Sequence, residues 1–296
     1  MSARSLAERA DVLALAALLA GATAIGTSAL FVKVSETGPV STAFWRVSLA
    51  LPVLLAWVRL EPSASKTDSK HELALMLLAG FFFAGDLAVW HWSIVLTSVA
   101  NATLLANCAP IFVTLITWLA FKRRPRPLFV GGLALAMMGM ALLLRGDFAH
   151  AGKAALGDAL GIVTALFYAA YQLTVTRARR HIPTSHIMAA TSAITALILL
   201  PIALASGERF LPVTSHGWML LIGLALIAQA AGQSLIAYAM AHLPATFSSV
   251  GLLLQPVVAA ALAWLLLGEA LTALAIVGAL LVLLGIRIAH TAERPR

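Results

Sequence analysis

Ten apolar runs, each close to the length that crosses a bilayer, follow one another along this chain with short connections between them. A hydrocarbon core about 30 Å thick takes about 20 residues of α-helix. Inside it every backbone N–H and C=O must be paired within the protein, which a helix does within its own segment. The runs fall at roughly 12–33, 40–59, 72–93, 98–121, 127–144, 156–176, 186–206, 216–236, 245–267 and 271–289. An all-α polytopic membrane protein of ten transmembrane helices is therefore expected. With 61% hydrophobic and 11% charged residues in 296, too little polar surface remains for a soluble domain. Only 61–71, 145–155 and 206–215 are connections of any size, so no extramembrane domain is available for separate chemistry.

A formal net charge of +8 would suggest nucleic acid as partner in a soluble protein. Here the basic residues sit in short clusters between apolar runs, where they set topology instead. Fifteen of the twenty Lys and Arg lie in the N-tail, the C-tail and the connections after runs two, four and six. The positive-inside rule then puts both termini in the cytoplasm. The first run is longer than a secretory signal core and is followed by more of its kind, so it is expected to remain as a helix. Cys108, the one cysteine, lies inside an apolar run and excludes an intrachain disulfide or a thiolate metal cluster.

The stretch 244–288 repeats an earlier one. At a constant offset of 146 and without a gap, Pro256 falls on Pro110, Trp264 on Trp118, Leu265 on Leu119, Leu274 on Leu128, Gly278 on Gly132 and Gly285 on Gly139. Recurrence of scarce residue types at one offset marks an internal duplication, with a five-helix repeat over 1–150 and a second over 151–296. Five is odd, so the second repeat enters the membrane in the opposite sense. The charge pattern agrees: the basic loop 122–126 has a counterpart, 268–272, with no basic residue. Inverted repeats are a signature of transporters whose substrate site lies near the midplane where the halves meet.

The segment WLLLGEALTALAIVGALLVLLG, with Gly268 and Glu269 opening the last helix, resembles the terminal hairpin of EamA-type members of the drug/metabolite transporter superfamily. The ten runs, the five-plus-five repeat and the Pro-containing fourth and ninth helices extend that resemblance over nearly the whole chain. Within the superfamily the chain is most similar to bacterial inner-membrane exporters of amino acids, including aromatic ones. The resemblance implies export of small amphipathic metabolites by alternating access. One departure stands out: where the family often places a Glu at the turn of the first half, this chain has Arg123. Glu269 is accordingly read as a helix-start residue complementing the dipole of span ten.

Ionisable groups inside hydrocarbon are costly and need a partner or a wet cavity. Arg46 and Asp86 are the two clearest cases, each roughly 9 Å below the expected outer end of its helix. They can pair as a structural salt bridge, or line a cavity in which Arg46 reads a substrate carboxylate. Aligning Pro52 with Pro201 maps Arg46 onto Thr195, so the guanidinium belongs to one repeat only. In span six, Thr164, Tyr168, Tyr171 and Gln172 share one helical face. Gln229 and Gln233 share another, as do Ser248 and Gln255. Trp90, His91 and Trp92 close span three, where an interfacial belt competes with a site role. Trp45 has the same two readings. Asn107 and Gln255 sit beside Pro110 and Pro256, two expected bends where proline frees a backbone carbonyl. Gly157 and Gly161 permit close helix approach.

The substrate candidates are thus Trp45, Arg46, Asp86, Trp90, His91, Asn107, Tyr168, Tyr171, Gln172, Gln229 and Gln255, with Pro110 and Pro256 as hinges. No HExxH, GxSxG or P-loop is present, which argues against an intramembrane enzyme. A channel-like or uniporter carrier of another solute class, such as an organic cation, a sugar or a nucleoside derivative, stays open. The expected assembly is a monomer in the lipid bilayer with a small-molecule substrate, and without nucleic acid, cofactor or metal.

Overall fold

The computed structural model describes residues 3–61, 70–144, 152–268 and 270–293. Among them are ten helices long and apolar enough to cross a membrane, at positions close to the ten apolar runs. Contacts group the helices into two compact units that do not follow the sequence repeats: residues 1–84 with 171–243, and residues 85–170 with 244–296.

The first unit holds Ala3–Gly26 (α1), Ser28–Lys33 (α2), Pro39–Leu60 (α3) and the opening of Lys70–Leu96 (α4). From the second repeat it takes Thr184–Ala205 (α9), Ser215–Leu224 (α10), a π-helix over Ala225–Gln233, and Ser234–Ala239 (α11). The helices α3 and α9 pack along each other, each carrying one internal proline, Pro52 and Pro201. A π-helix of nine residues is rare and concentrates at functional positions. Here it packs on α1 closely enough that a Cβ on Gly21 would lie 2.8 Å from the Gly232 carbonyl oxygen.

The second unit holds the rest of α4 with Val99–Ala106 (α5), Ala109–Phe121 (α6), Pro127–Leu144 (α7) and the first part of Lys153–Ala178 (α8). It adds Ala245–Gly251 (α12), Leu254–Leu267 (α13) and Ala273–Glu293 (α14). The recurring glycines meet one another here. A Cβ on Gly139 would lie 2.6 Å from the Gly278 carbonyl oxygen, and one on Gly278 would lie 2.6 Å from that of Gly139. Gly132 and Gly285 oppose each other in the same reciprocal way. The helices α7 and α14 therefore run antiparallel with their backbones in contact about a local twofold. Gly157 and Gly161 also serve close packing within the chain, against Thr97 and Leu105.

In spans four and nine the α-helix is interrupted by a short tightened turn. Proline has no N–H to give the carbonyl four residues back, and in both spans the helix stops and restarts just before it. Cys108 N bonds Leu105 O at 3.0 Å, and Gln255 N bonds Leu252 O at 3.0 Å, tightened turns of the three-residue type. The repeat extends to the helix ends: α6 stops at Lys122 with φ 56° and α13 at Gly268 with φ 68°, residues again 146 apart. A left-handed cap suits glycine, and at lysine it costs roughly 1–2 kcal/mol. Glu269 lies outside the described residues.

Candidate substrate site

In the first unit, Arg46 stands on α3 one third of the way along the helix and is only 9% exposed. Its Nε donates to Gln229 Oε1 at 3.1 Å, and Gln229 Nε2 donates to Ser192 Oγ at 3.1 Å. Both partners are fully buried, Ser192 on α9 and Gln229 in the middle of the π-helix. The side-chain amide of Gln229 is thereby fixed at both ends, and it in turn fixes the plane of the guanidinium. Arg46 comes from the first repeat, and the two residues that orient it come from the second.

Further polar side chains lie on the same elements. Thr195, the repeat counterpart of Arg46, donates to the Gly80 carbonyl at 3.1 Å. Ser41 on α3, Thr191 on α9 and Gln233 of the π-helix are buried, and each has a side-chain oxygen without a hydrogen bond among the described residues. Gln172 is 1% exposed, and neither atom of its amide is hydrogen-bonded among the described residues. Buried amides and hydroxyls are almost always satisfied, so these groups are exceptions gathered on neighbouring elements.

The other sequence candidates divide. Trp45 donates its indole N–H to the Phe210 carbonyl at 2.7 Å and packs edge-on against Phe44 and Trp218. It is a member of an aromatic cluster at one end of the unit. Tyr171 is buried and stacks on Phe83 at 4.8 Å, leaving Gln172 as the polar element of that face in this unit. Asp86, Trp90, His91, Asn107, Tyr168 and Gln255 belong to the second unit. There His91 is buried, bonds the Leu87 carbonyl through Nδ1 and meets Trp90 edge-on, while Trp92 is 52% exposed as a belt residue would be. Asn107 donates to Thr103 O at 2.8 Å, within the break of span four. Tyr168 and Asp86 are half-buried, and Gln255 has an amide nitrogen without a partner among the described residues.

Sequence reasoning missed Ser192, whose hydroxyl is unremarkable until the fold places it beside Gln229. It also missed Asp158, which accepts from Thr97 Oγ1 at 2.7 Å and Asn101 Nδ2 at 3.2 Å. No His, Cys, Asp or Glu cluster among the described residues could hold a metal.

Two carboxylates tie the loops beside the aromatic cluster. Glu208 accepts from Val40 N at 3.0 Å at the start of α3. Glu36 accepts from Val213 N at 2.7 Å, Thr214 N at 3.0 Å and the Thr214 hydroxyl, just ahead of α10. Those bonds, the Thr214 hydroxyl first among them, hold the Glu36 carboxyl below its ordinary pKa. A lowered carboxyl pKa stabilises the folded loop above the ordinary carboxylate range, and the contribution is lost as pH falls through the lowered value. The protection factors of the Val213 and Thr214 amides, each taken against the intrinsic exchange rate at the same pH, are thus expected to be high at pH 7 and to fall in acid. In Glu36→Gln they should be low at both, and unchanged protection in that variant would contradict the assignment.

At the opposite end of the unit, Glu61 accepts from the Ser185 hydroxyl, and Arg179 donates to the carbonyls of Ala237 and Ile182. Burial is the largest influence on Arg179 and draws its pKa down, opposed by Glu61 and Tyr238.

The chain is matched twice by the sequence model of the EamA-like transporter family, over residues 12–145 and 155–291. It is 26% identical over 265 residues to an uncharacterised transporter of Archaeoglobus fulgidus, covering 88% of this chain and 91% of that one. It is also 26% identical over 272 residues to the pseudopaline exporter CntI of Pseudomonas aeruginosa, covering 90% and 92%. A protein known from a crystal structure shares the fold, with a TM-score of 0.81 at 18% identity over 98% of this chain and 99% of that one.

Proposed function

Because the chain belongs to the EamA-like transporter family, matched over both of its repeats, we propose that it exports small amphipathic solutes bearing a carboxylate, amino acids first among them, across a bacterial inner membrane. Membership makes it a multi-pass membrane transporter, and an exporter among its relatives supports the outward direction. The substrate class rests on one observation. Arg46, buried one third of the way along α3, is held through its Nε by the Gln229–Ser192 relay.

An arginine inside the hydrocarbon region costs about 2.5–3.5 kcal/mol on insertion scales. A planar guanidinium of fixed orientation offers a carboxylate two parallel N–H donors, a fit that a lysine ammonium cannot reproduce. Gln172, Thr191 and Gln233 supply neutral polar groups for the rest of a zwitterion. The paired tightened turns before Pro110 and Pro256 are the segments about which the spans rearrange, since the prolines remove one helical hydrogen bond each and leave those turns the easiest places to bend.

Counterflow tests this reading. Proteoliposomes preloaded with one amino acid should accelerate entry of labelled solute, with the twenty amino acids screened in turn. Pro110→Ala with Pro256→Ala should slow that exchange more than it lowers folded yield. Uptake without acceleration by preloading would indicate a channel, and no response to any amino acid would remove the substrate class.

A further inference from the structure

The first unit carries an apolar groove of about 420 Å³ that the substrate site does not use. It is lined by Trp57, Thr184, Ala230, Ala231, Leu235 and Tyr238, with Ser234 in its wall. All but Thr184 lie in the last turns of α3 or from the end of the π-helix through α11, so the groove is at membrane depth. Three features single it out from ordinary lipid-facing surface. Ser234 is 7% exposed, and its hydroxyl, buried within an otherwise apolar wall, has no hydrogen-bond partner among the described residues. Arg179 bonds the carbonyls of Ala237 and Ile182, the first adjacent to Tyr238 and the second two residues before Thr184, so its guanidinium stands at the groove mouth. Arg59, Arg177 and Arg180 are exposed at that same end of the helices.

We propose that this groove is a binding site for an anionic phospholipid, one acyl chain lying against Ala230, Ala231 and Leu235 and the phosphate facing the arginine-rich mouth. Ser234 is four residues before Tyr238, about 6 Å deeper along the helix. At that depth its hydroxyl, buried in the wall and turning toward the groove when a lipid enters, reaches the level of a glyceryl ester carbonyl, the first acceptor below the phosphate. Tyr238 and Trp57 take the interfacial level where amphipathic rings settle. Basic groups at the end of membrane helices favour acidic headgroups, so phosphatidylglycerol should be held over phosphatidylethanolamine of the same chains. The site is separate from Arg46, and its failure would leave the transport reading intact.

The test is native mass spectrometry of the full-length protein in a nonionic detergent, titrated with phosphatidylglycerol or phosphatidylethanolamine. A saturable one-to-one adduct is expected for phosphatidylglycerol at several-fold lower concentration than for phosphatidylethanolamine. Ala231→Phe fills the groove from an exposed position and should abolish the saturable adduct. Ser234→Ala removes only the hydroxyl and should weaken it several-fold, a second reading in case the larger side chain perturbs folding. A non-saturating ladder of adducts, equal affinity for the two lipids, or wild-type binding by both variants would each overturn the proposal.

Discussion

Gly139→Leu is expected to abolish recovery of monodisperse protein. The new side chain would start 2.6 Å from the Gly278 carbonyl oxygen and the Val282 amide nitrogen, where the obstacle is backbone and cannot rotate away. Overpacking against side chains ordinarily costs 1–3 kcal/mol. Against a neighbouring helix backbone, α7 and α14 must part along the seam, with loss of the close contacts that hold helices together in lipid. Gly131 supplies the control, since a Cβ there meets nothing within 4 Å although it lies on the same helix. Gly131→Leu should behave as wild type in size-exclusion chromatography after mild heating. Similar behaviour of the two variants would show that the seam contributes little.

Arg46→Ala is expected to abolish exchange of an amino acid while reducing transport of its neutral amide far less. The argument turns on what each ligand leaves uncompensated. A carboxylate brought into a low-dielectric site without its cation is penalised by several kcal/mol, whereas an amide keeps neutral hydrogen bonds to the remaining polar groups. Arg46→Lys retains the charge and loses the planar fork, so an intermediate loss in affinity is expected. Gln229→Ala releases the guanidinium from its fixed plane and should weaken the amino acid while leaving the charge in place. Folded yield must be followed in parallel, because an arginine that serves only the fold would lower yield in proportion to transport. Equal decline for acid and amide in Arg46→Ala would end the carboxylate assignment.

The helices were legible because lipid enforces one solution on long apolar runs, and the repeat was legible because Pro, Trp and Gly are scarce or conformationally distinctive. Gly132, Gly139, Gly278 and Gly285 could be aligned from the sequence, yet nothing in it says that the four face one another. That fact depends on which helices pack, and both are apolar on every side. The same limit hid Ser192. A serine in a run of alanine and threonine gives no signal, while Arg46 and Gln229 announce themselves by the cost of burying them. At the proline positions expected as bends, the α-helix gives way to a tightened turn on the N-terminal side of each proline. The π-helix had no sequence signal that separates it from an ordinary helix: the spacing of Gln229 and Gln233 fits either form.

The grouping of the helices sets a schedule for making the protein. Arg46 and Gln229 are 183 residues apart, and Ser192 also belongs to the later repeat. At 5–20 residues per second of synthesis, the gap between them amounts to roughly 10–40 s. For that interval α3 exists in the cell while the residues that orient its arginine have not been made. The first unit cannot close until most of the chain has been synthesised, so the two repeats are not completed one after the other.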